Sequence, residues 1–307
     1  MEQINEHFKP DFFIPGAAKS GTTTLHELLN THSNICMSSI KEPVYWNNKG
    51  FRKFGKFEKS RYQNLFNYDD EIKGESTTSY MYYESFLKNI NENYTKPPKF
   101  IFVLRNPIDR YISHVNWMKG LGLEKSNLNN IVDLGVVKDF KEYNYYPKNY
   151  FQFGLYYKWI SRFIENFGAE NIKIITFEQL IDDRVNVINS CFEFLGVKKM
   201  EHIKNIQSNK SEKIIFPSLY HLLRKISIGK IKFATTVGLI FPENVKFFIK
   251  KFIKSLINNW HSKDFKKIEL DVTYRNKLRD AYIEDVKSLK IKLNYNFSEW
   301  KDFQNIK

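Results

Sequence analysis

Two kinds of apolar run alternate along the chain. Lys99 to Leu104, KFIFVL, and Ile172 to Thr176, IKIIT, are nearly continuous, the pattern of strands buried on both faces. Phe12-Phe13-Ile14 is a shorter run of the same kind, predicted to end at Pro15-Gly16. The other runs have helical spacing. Thr23 to Asn30 puts Leu25, Leu28 and Leu29 on one face, and Pro107 opens a helix containing Tyr111, Ile112 and Val115. Trp159-Ile160, Phe163-Ile164 and Phe167 are stopped by Gly168, and Val185 to Leu195 is closed by Gly196. Tyr274 to Leu293 aligns Leu278, Tyr282, Val286 and Leu289. Strand and helix in alternation predict an α/β fold with a parallel sheet covered on both faces. Beyond Gly196 the pattern changes: residues 198–214 are polar and lysine-rich, and residues 219–260 are basic and helical. We read 198–262 as a basic loop and helical insert within a single domain, 1–307.

Composition narrows the class. The chain has 307 residues, 42 % hydrophobic and 27 % charged, enough to bury a core. Lys+Arg number 48 against Asp+Glu 34, a net charge of +14, which calls for an anionic partner. Two cysteines, Cys36 and Cys191, form neither a disulfide framework nor a CxxC metal site. No apolar run reaches transmembrane length, and Met1 to Lys9 has no signal-peptide core, so a cytoplasmic location is the expectation. The chain has no helix-turn-helix, RRM or zinc-finger signature, and nucleic acid is not an expected partner.

The first chemical signal follows the Phe12 strand: Gly16-Ala17-Ala18-Lys19-Ser20-Gly21-Thr22-Thr23-Thr24. A strand, a glycine-flanked loop and a helix start together make a polyanion cradle, with backbone N–H groups facing the ligand. Lys19 adds a point charge, and Ser20, Thr22, Thr23 and Thr24 add hydroxyls. Gly16 and Gly21 have Walker A spacing, but Thr22 stands where that motif needs its lysine. The second signal follows KFIFVL: Arg105-Asn106-Pro107-Ile108-Asp109-Arg110-Tyr111-Ile112-Ser113. Arg105 falls at a strand's carboxyl end, where open α/β sheets bind ligands, and Ser113 falls on the next helix. Together they can hold a second phosphate.

In these motifs the sequence resembles the sulfotransferases that use 3′-phosphoadenosine 5′-phosphosulfate (PAPS). GAAKSGTTTL, Gly16 to Leu25, is similar to that family's 5′-phosphosulfate loop, and RNPIDRYIS, Arg105 to Ser113, to its 3′-phosphate motif. Lys41-Glu42-Pro43, the GESTTSY segment Gly74 to Tyr80, Gly154-Leu155-Tyr156 before Trp159, Phe194-Leu195-Gly196 and a closing Ser298-Glu299-Trp300 follow in family order. The nearer likeness is to the branch of heparan-sulfate and bacterial carbohydrate sulfotransferases. The resemblance implies a P-loop-like parallel sheet of about five strands flanked by helices, here with a basic helical C-terminal extension. It also implies PAPS as donor, no required metal and a carbohydrate-type or glycolipid acceptor.

The resemblance assigns roles as well. Lys19 neutralises the leaving phosphate. Glu42, in KEPVYW, matches the position of the heparan-type branch's glutamate base, and the histidine base of the small-molecule branch has no counterpart between His32 and His114. Val44 stands where some relatives carry a histidine, and Ser76 where many carry a lysine. Lys210 and Lys213, in SNKSEK, are candidates for a loop closing on the nucleotide; a solvated loop is the other reading. Lys41, Tyr45, Trp46, Tyr80, Trp117 and Tyr146 are the candidate acceptor contacts, aromatic rings with polar tips suiting sugars. Residues 245–260 form a basic amphipathic stretch, either packed on the domain or lying on a membrane surface. A P-loop kinase and a non-catalytic polyanion binder are the competing functions.

Overall fold

The computed structural model describes residues 8–47, 62–67, 72–135, 148–204, 213–214, 261–262 and 269–304. Five strands form one parallel sheet: β1 (Phe12–Gly16), β2 (Ile35–Met37), β3 (Ile72–Ser76), β4 (Lys99–Leu104) and β5 (Ile172–Thr176), in the order β2-β3-β1-β4-β5. The chain leaves β1 towards β3 and β2, then returns on the other side to β4 and β5. The crevice beyond the carboxyl ends of β1 and β4 is therefore the topological switch point, where such sheets bind ligands. The β1 run does not stop at Pro15-Gly16 as the sequence predicts. Both residues belong to the strand, and the pairing with β4 shifts register between Phe13 and Gly16. Proline has no N–H for the ladder, and an irregularity of this kind admits it to a central strand.

Alternation along the strands feeds two cores. Phe13, Phe100, Phe102 and Leu104 face one layer, and Phe12, Ile14, Ile101 and Val103 the other, all fully buried. The smaller layer holds α1 (Thr22–Leu29), through Leu25, Leu28 and Leu29, with α6 (Phe177–Asp182) and α7 (Arg184–Leu195). The larger, aromatic layer holds α2 (Glu84–Asn93), α3 (Pro107–Gly120), α4 (Leu128–Gly135), α5 (Tyr156–Phe167) and α8 (Val272–Leu293). Phe163 of α5 meets Phe100 and Phe102 edge-on, with centroids 5.3 and 5.0 Å apart. Each such fully buried side chain contributes about 1.5–3 kcal/mol.

The last helix and the tail lock onto the site-bearing half of the sheet. Leu278, Tyr282, Val286 and Leu289 are buried, as their spacing predicts. The Tyr282 hydroxyl donates to the Phe151 carbonyl at 2.9 Å. Arg275 grips Asp302 at 2.6 and 2.7 Å and Asp109 at 3.0 Å, while Asn106 donates to Asp302 at 2.7 Å. Trp300 Nε1 donates to Glu178 at 3.2 Å. The tail thus braces the β4–α3 connection. A short antiparallel pair, β6 (Lys213–Ile214) with β7 (His261–Ser262), lies near the ends of the 198–262 segment, with β6 beside α3. The basic stretch 245–260 lies outside the described residues, as do Tyr146 and Lys210.

Candidate active site

The phosphate loop is shaped by its neighbours. The Ala17 N–H donates to the Val103 carbonyl at 2.9 Å, and the Ala18 N–H to the Tyr82 hydroxyl at 3.3 Å. Lys19 is left-handed, φ 68°, and Gly21 closes the loop at φ 93° as the N-cap of α1. No side-chain hydrogen bond caps that helix at Gly21, and its first N–H groups follow directly on the loop. A Cβ on Gly21 would lie 2.7 Å from the Phe177 ring, so only glycine fits both the angle and the space. Lys19 Nζ sits 5.0 Å from the centre of the Trp117 ring. Thr22 and Thr24 are nearly buried and Thr23 is half-buried, while Ser20 is fully buried with its hydroxyl towards that of Tyr156. The Ser20 hydroxyl, expected from sequence to face the phosphates, is buried and makes no hydrogen bond among the described residues.

A second cation lies across the crevice. Arg105, at the carboxyl end of β4, stacks its guanidinium over Phe177 at 4.7 Å, and its carbonyl accepts the Tyr156 hydroxyl at 2.8 Å. Phe177 therefore stands between the two loops, with Gly21 on one side and Arg105 on the other. The next turn is fixed by Asn106, whose side chain caps α3 at the Ile108 N–H, 3.0 Å, and whose own N–H donates to Glu178 at 3.0 Å. Ser113 lies half-buried further along α3.

The segment after β2 supplies the third side. Lys41 Nζ reaches Thr22 Oγ1 at 3.3 Å and Glu42 at 3.4 Å. Glu42 accepts a hydrogen bond from Thr78 Oγ1 at 2.9 Å. The cations and Glu42 converge closely enough to act on Lys19, whose pKa falls from 10.5 to about 8. Burial is the largest cause; Arg105, Lys41 and Arg110 add to it, and Glu42 opposes it. Among the described residues Lys19, Lys41, Arg105 and Arg110 concentrate positive charge here, with the Glu42 carboxylate close to Lys19 and Glu178 close to Arg105.

The sequence-based site residues divide by position. Lys19, Gly21, Thr22, Thr23, Thr24, Lys41, Glu42, Arg105 and Trp117 surround or border the crevice. Trp46 is 5 % exposed and Tyr80 0 %, with the Tyr80 hydroxyl spent on Glu75, so both lie beneath the site and do not face an acceptor. Tyr45 is half-buried, stacked on Tyr62 with centroids 4.0 Å apart. Three residues had no assignment from sequence. Phe177 follows the IKIIT strand at its carboxyl end, a position that could have marked it. Arg110, inside RNPIDRYIS, is fully buried, donates to the Tyr150 carbonyl and adds to the field on Lys19. Thr78 lies within GESTTSY. Among the described residues no cluster of His, Cys, Asp or Glu is placed to hold a metal ion.

Known proteins share the fold and the domain profile. The crystal structure of a sulfotransferase from Alicyclobacillus acidocaldarius superposes with a TM-score of 0.67 at 20 % identity, covering 96 % of this chain and 99 % of that one. Human carbohydrate sulfotransferase 15 is 42 % identical over 50 residues, which span 15 % of this chain and 9 % of that protein, and its rat counterpart matches equally. The profile of the sulfotransferase domain matches residues 9–216, which contain both anion loops and Glu42. That match takes in well over half of the chain, and the protein belongs to the sulfotransferase-domain family.

Proposed function

We propose that this sulfotransferase-family protein moves the sulfuryl group of PAPS to a hydroxyl or amine of a carbohydrate-type acceptor, with Glu42 as general base. The observation that carries the reading is the convergence of Lys19, Lys41 and Arg105 on the uncapped N-terminus of α1, with Glu42 beside them. The loop from Gly16 to Thr24 takes the 5′-phosphosulfate, and Arg105 with Ser113 takes the 3′-phosphate. As the sulfur–oxygen bond to the 5′-phosphate breaks and the bond to the acceptor forms, Glu42 accepts the acceptor's proton. Lys19 neutralises the charge left on the phosphate. A carbohydrate acceptor is supported by the short match to carbohydrate sulfotransferase 15 and by the Trp117 ring beside Lys19.

Radiolabelled PAPS with a panel of heparosan and chondroitin oligosaccharides tests the reading. Labelled glycan is expected from the wild type. Glu42→Gln is expected to lower kcat by about 10²–10⁴-fold while PAP (the 3′,5′-bisphosphate product) still binds. Undiminished transfer by Glu42→Gln would overturn the base assignment, and transfer to no glycan would overturn the acceptor class.

A further inference from the structure

Directly beneath the Glu42 segment lies a carboxyl that none of the steps above uses. Glu75 is in β3, opposite Phe13 of β1, and is fully buried. Its neighbour Ser76 points to the other face of the sheet, where His26 Nδ1 lies 2.9 Å away. Glu75 points into the aromatic layer and accepts three hydroxyl hydrogen bonds. Tyr80 donates to Oε1 at 2.5 Å, Thr77 donates to the same oxygen at 2.7 Å, and Tyr62 donates to Oε2.

Each hydroxyl is also an acceptor, and each accepts from the segment that carries Glu42. The Val44 N–H donates to Thr77 at 3.3 Å, the Trp46 N–H to Tyr80 at 3.1 Å and the Trp46 indole N–H to Tyr62 at 2.9 Å. A hydroxyl has one proton; giving it to Glu75 leaves its lone pairs for the N–H above. In its ionised form the carboxyl accepts from all three and so sets the direction of all three relays. The turn it holds is strained: Val44 is a β-branched residue at φ 59°, a conformation that persists only where surrounding contacts over-determine it. A buried carboxyl is costly, and an apolar residue would fill the same volume at lower cost. What Glu75 alone supplies is acceptor capacity for three donors at once.

We infer that Glu75 is a positioning residue that fixes the Val44–Trp46 turn, and through it Glu42, at the edge of the cationic crevice. The inference rests on Glu42 as general base. Burial, opposed by the three hydroxyl donors, lifts the Glu75 pKa from 4.5 to about 7, and Glu42 adds to the rise, so the two carboxylates are close enough to feel each other.

The test compares Glu75→Gln, Thr77→Val, Tyr80→Phe and Glu42→Gln in the full-length protein. Three quantities are read: amide hydrogen exchange across residues 40–47, the Kd for PAP, and the rate of PAP release from PAPS with water as the only acceptor. An amide at position 75 must donate where the carboxylate accepts, which reverses at least one relay. Glu75→Gln is expected to speed exchange at Val44 and Trp46 by about tenfold or more and to slow PAP release by a similar factor. PAP should bind within threefold of wild type, since the loop 16–24 does not touch Glu75. Thr77→Val should speed exchange at Val44 alone, and Tyr80→Phe at Trp46 alone. Combining Glu75→Gln with Glu42→Gln should slow PAP release no further than Glu42→Gln does. Wild-type exchange and turnover in Glu75→Gln would overturn the inference while leaving the base assignment intact. Full turnover in Glu42→Gln would overturn the base assignment itself. Should Glu75→Gln fail to bind PAP at all, Thr77→Val and Tyr80→Phe decide: wild-type exchange in both overturns the inference.

Discussion

Lys19 is placed where its own charge is hardest to keep. Burial and the nearby Arg105, Lys41 and Arg110 bring its pKa to about 8, and only Glu42 pulls the other way. A bound phosphate reverses this balance, because an anion at contact distance favours the protonated amine. The sign follows. In the free protein Lys19 is half deprotonated near pH 8, and binding at and above that pH must take a proton up. PAP affinity is therefore expected to fall as pH rises through 8 towards 10, by up to about tenfold per unit, and to be flat below about pH 7 as far as Lys19 is concerned. Titration calorimetry in two buffers of different ionisation heat checks this through the proton uptake itself; Lys19→Met should abolish the pH dependence. At this scale the sequence was informative where chemistry is local. Lys19, Arg105 and Glu42 each sit in a short motif with readable spacing. Glu75 was not readable as a site residue, because its partners Tyr62 and Tyr80 reach it only through the fold. Trp46 and Tyr80 look like acceptor platforms in the sequence, yet the same packing that aligns Glu75 buries them.

Elements were legible where burial imposes a strong pattern. KFIFVL and IKIIT are β4 and β5 residue for residue, and Gly168 and Gly196 end their helices at φ 81° and 85°. β3 was not legible as a strand. After Ile72 its residues, KGES, are polar or small, and it is held between β1 and β2 by pairing rather than by side-chain pattern. The start of α5 likewise depends on a distant residue. Asp285 of α8 accepts the N–H groups of Tyr157 at 3.0 Å and Lys158 at 3.1 Å, capping a helix that has no local side-chain cap. Asp285→Asn should cost about 1 kcal/mol, the usual worth of a cap. Burial, partly offset by the capped amides, raises the Asp285 pKa from 3.8 to about 6. The folded state then holds this proton more tightly than the unfolded chain, so the group's contribution is complete below about pH 4 and is lost as pH rises through 6. The stability gap between wild type and Asp285→Asn is expected to be widest near pH 4 and to narrow towards pH 7. Chemical denaturation across that range measures it; a gap that widens with pH would contradict the assignment.

For the whole molecule, topology turns scattered motifs into one site. The order β2-β3-β1-β4-β5 sets the loops after β1 and β4 side by side, though about 85 residues separate them in sequence. The tail completes the arrangement by tying Arg275 and Asp302 to Asp109 and Asn106. The net charge of +14 read as a call for an anion, but charge alone did not distinguish a nucleotide from a polymer. The two anion loops on one sheet are what the proposed nucleotide donor rests on. Thermal unfolding with PAP, ADP and ATP, all in EDTA, tests that claim most directly. At a hundred times its Kd, PAP is expected to add about 2.7 kcal/mol, a rise in Tm of roughly 5–10 °C, with ADP and ATP giving much less. No rise with PAP, together with a rise with ATP that appears only when magnesium is restored, would contradict a site built for a nucleotide phosphorylated at both its 3′ and 5′ ends.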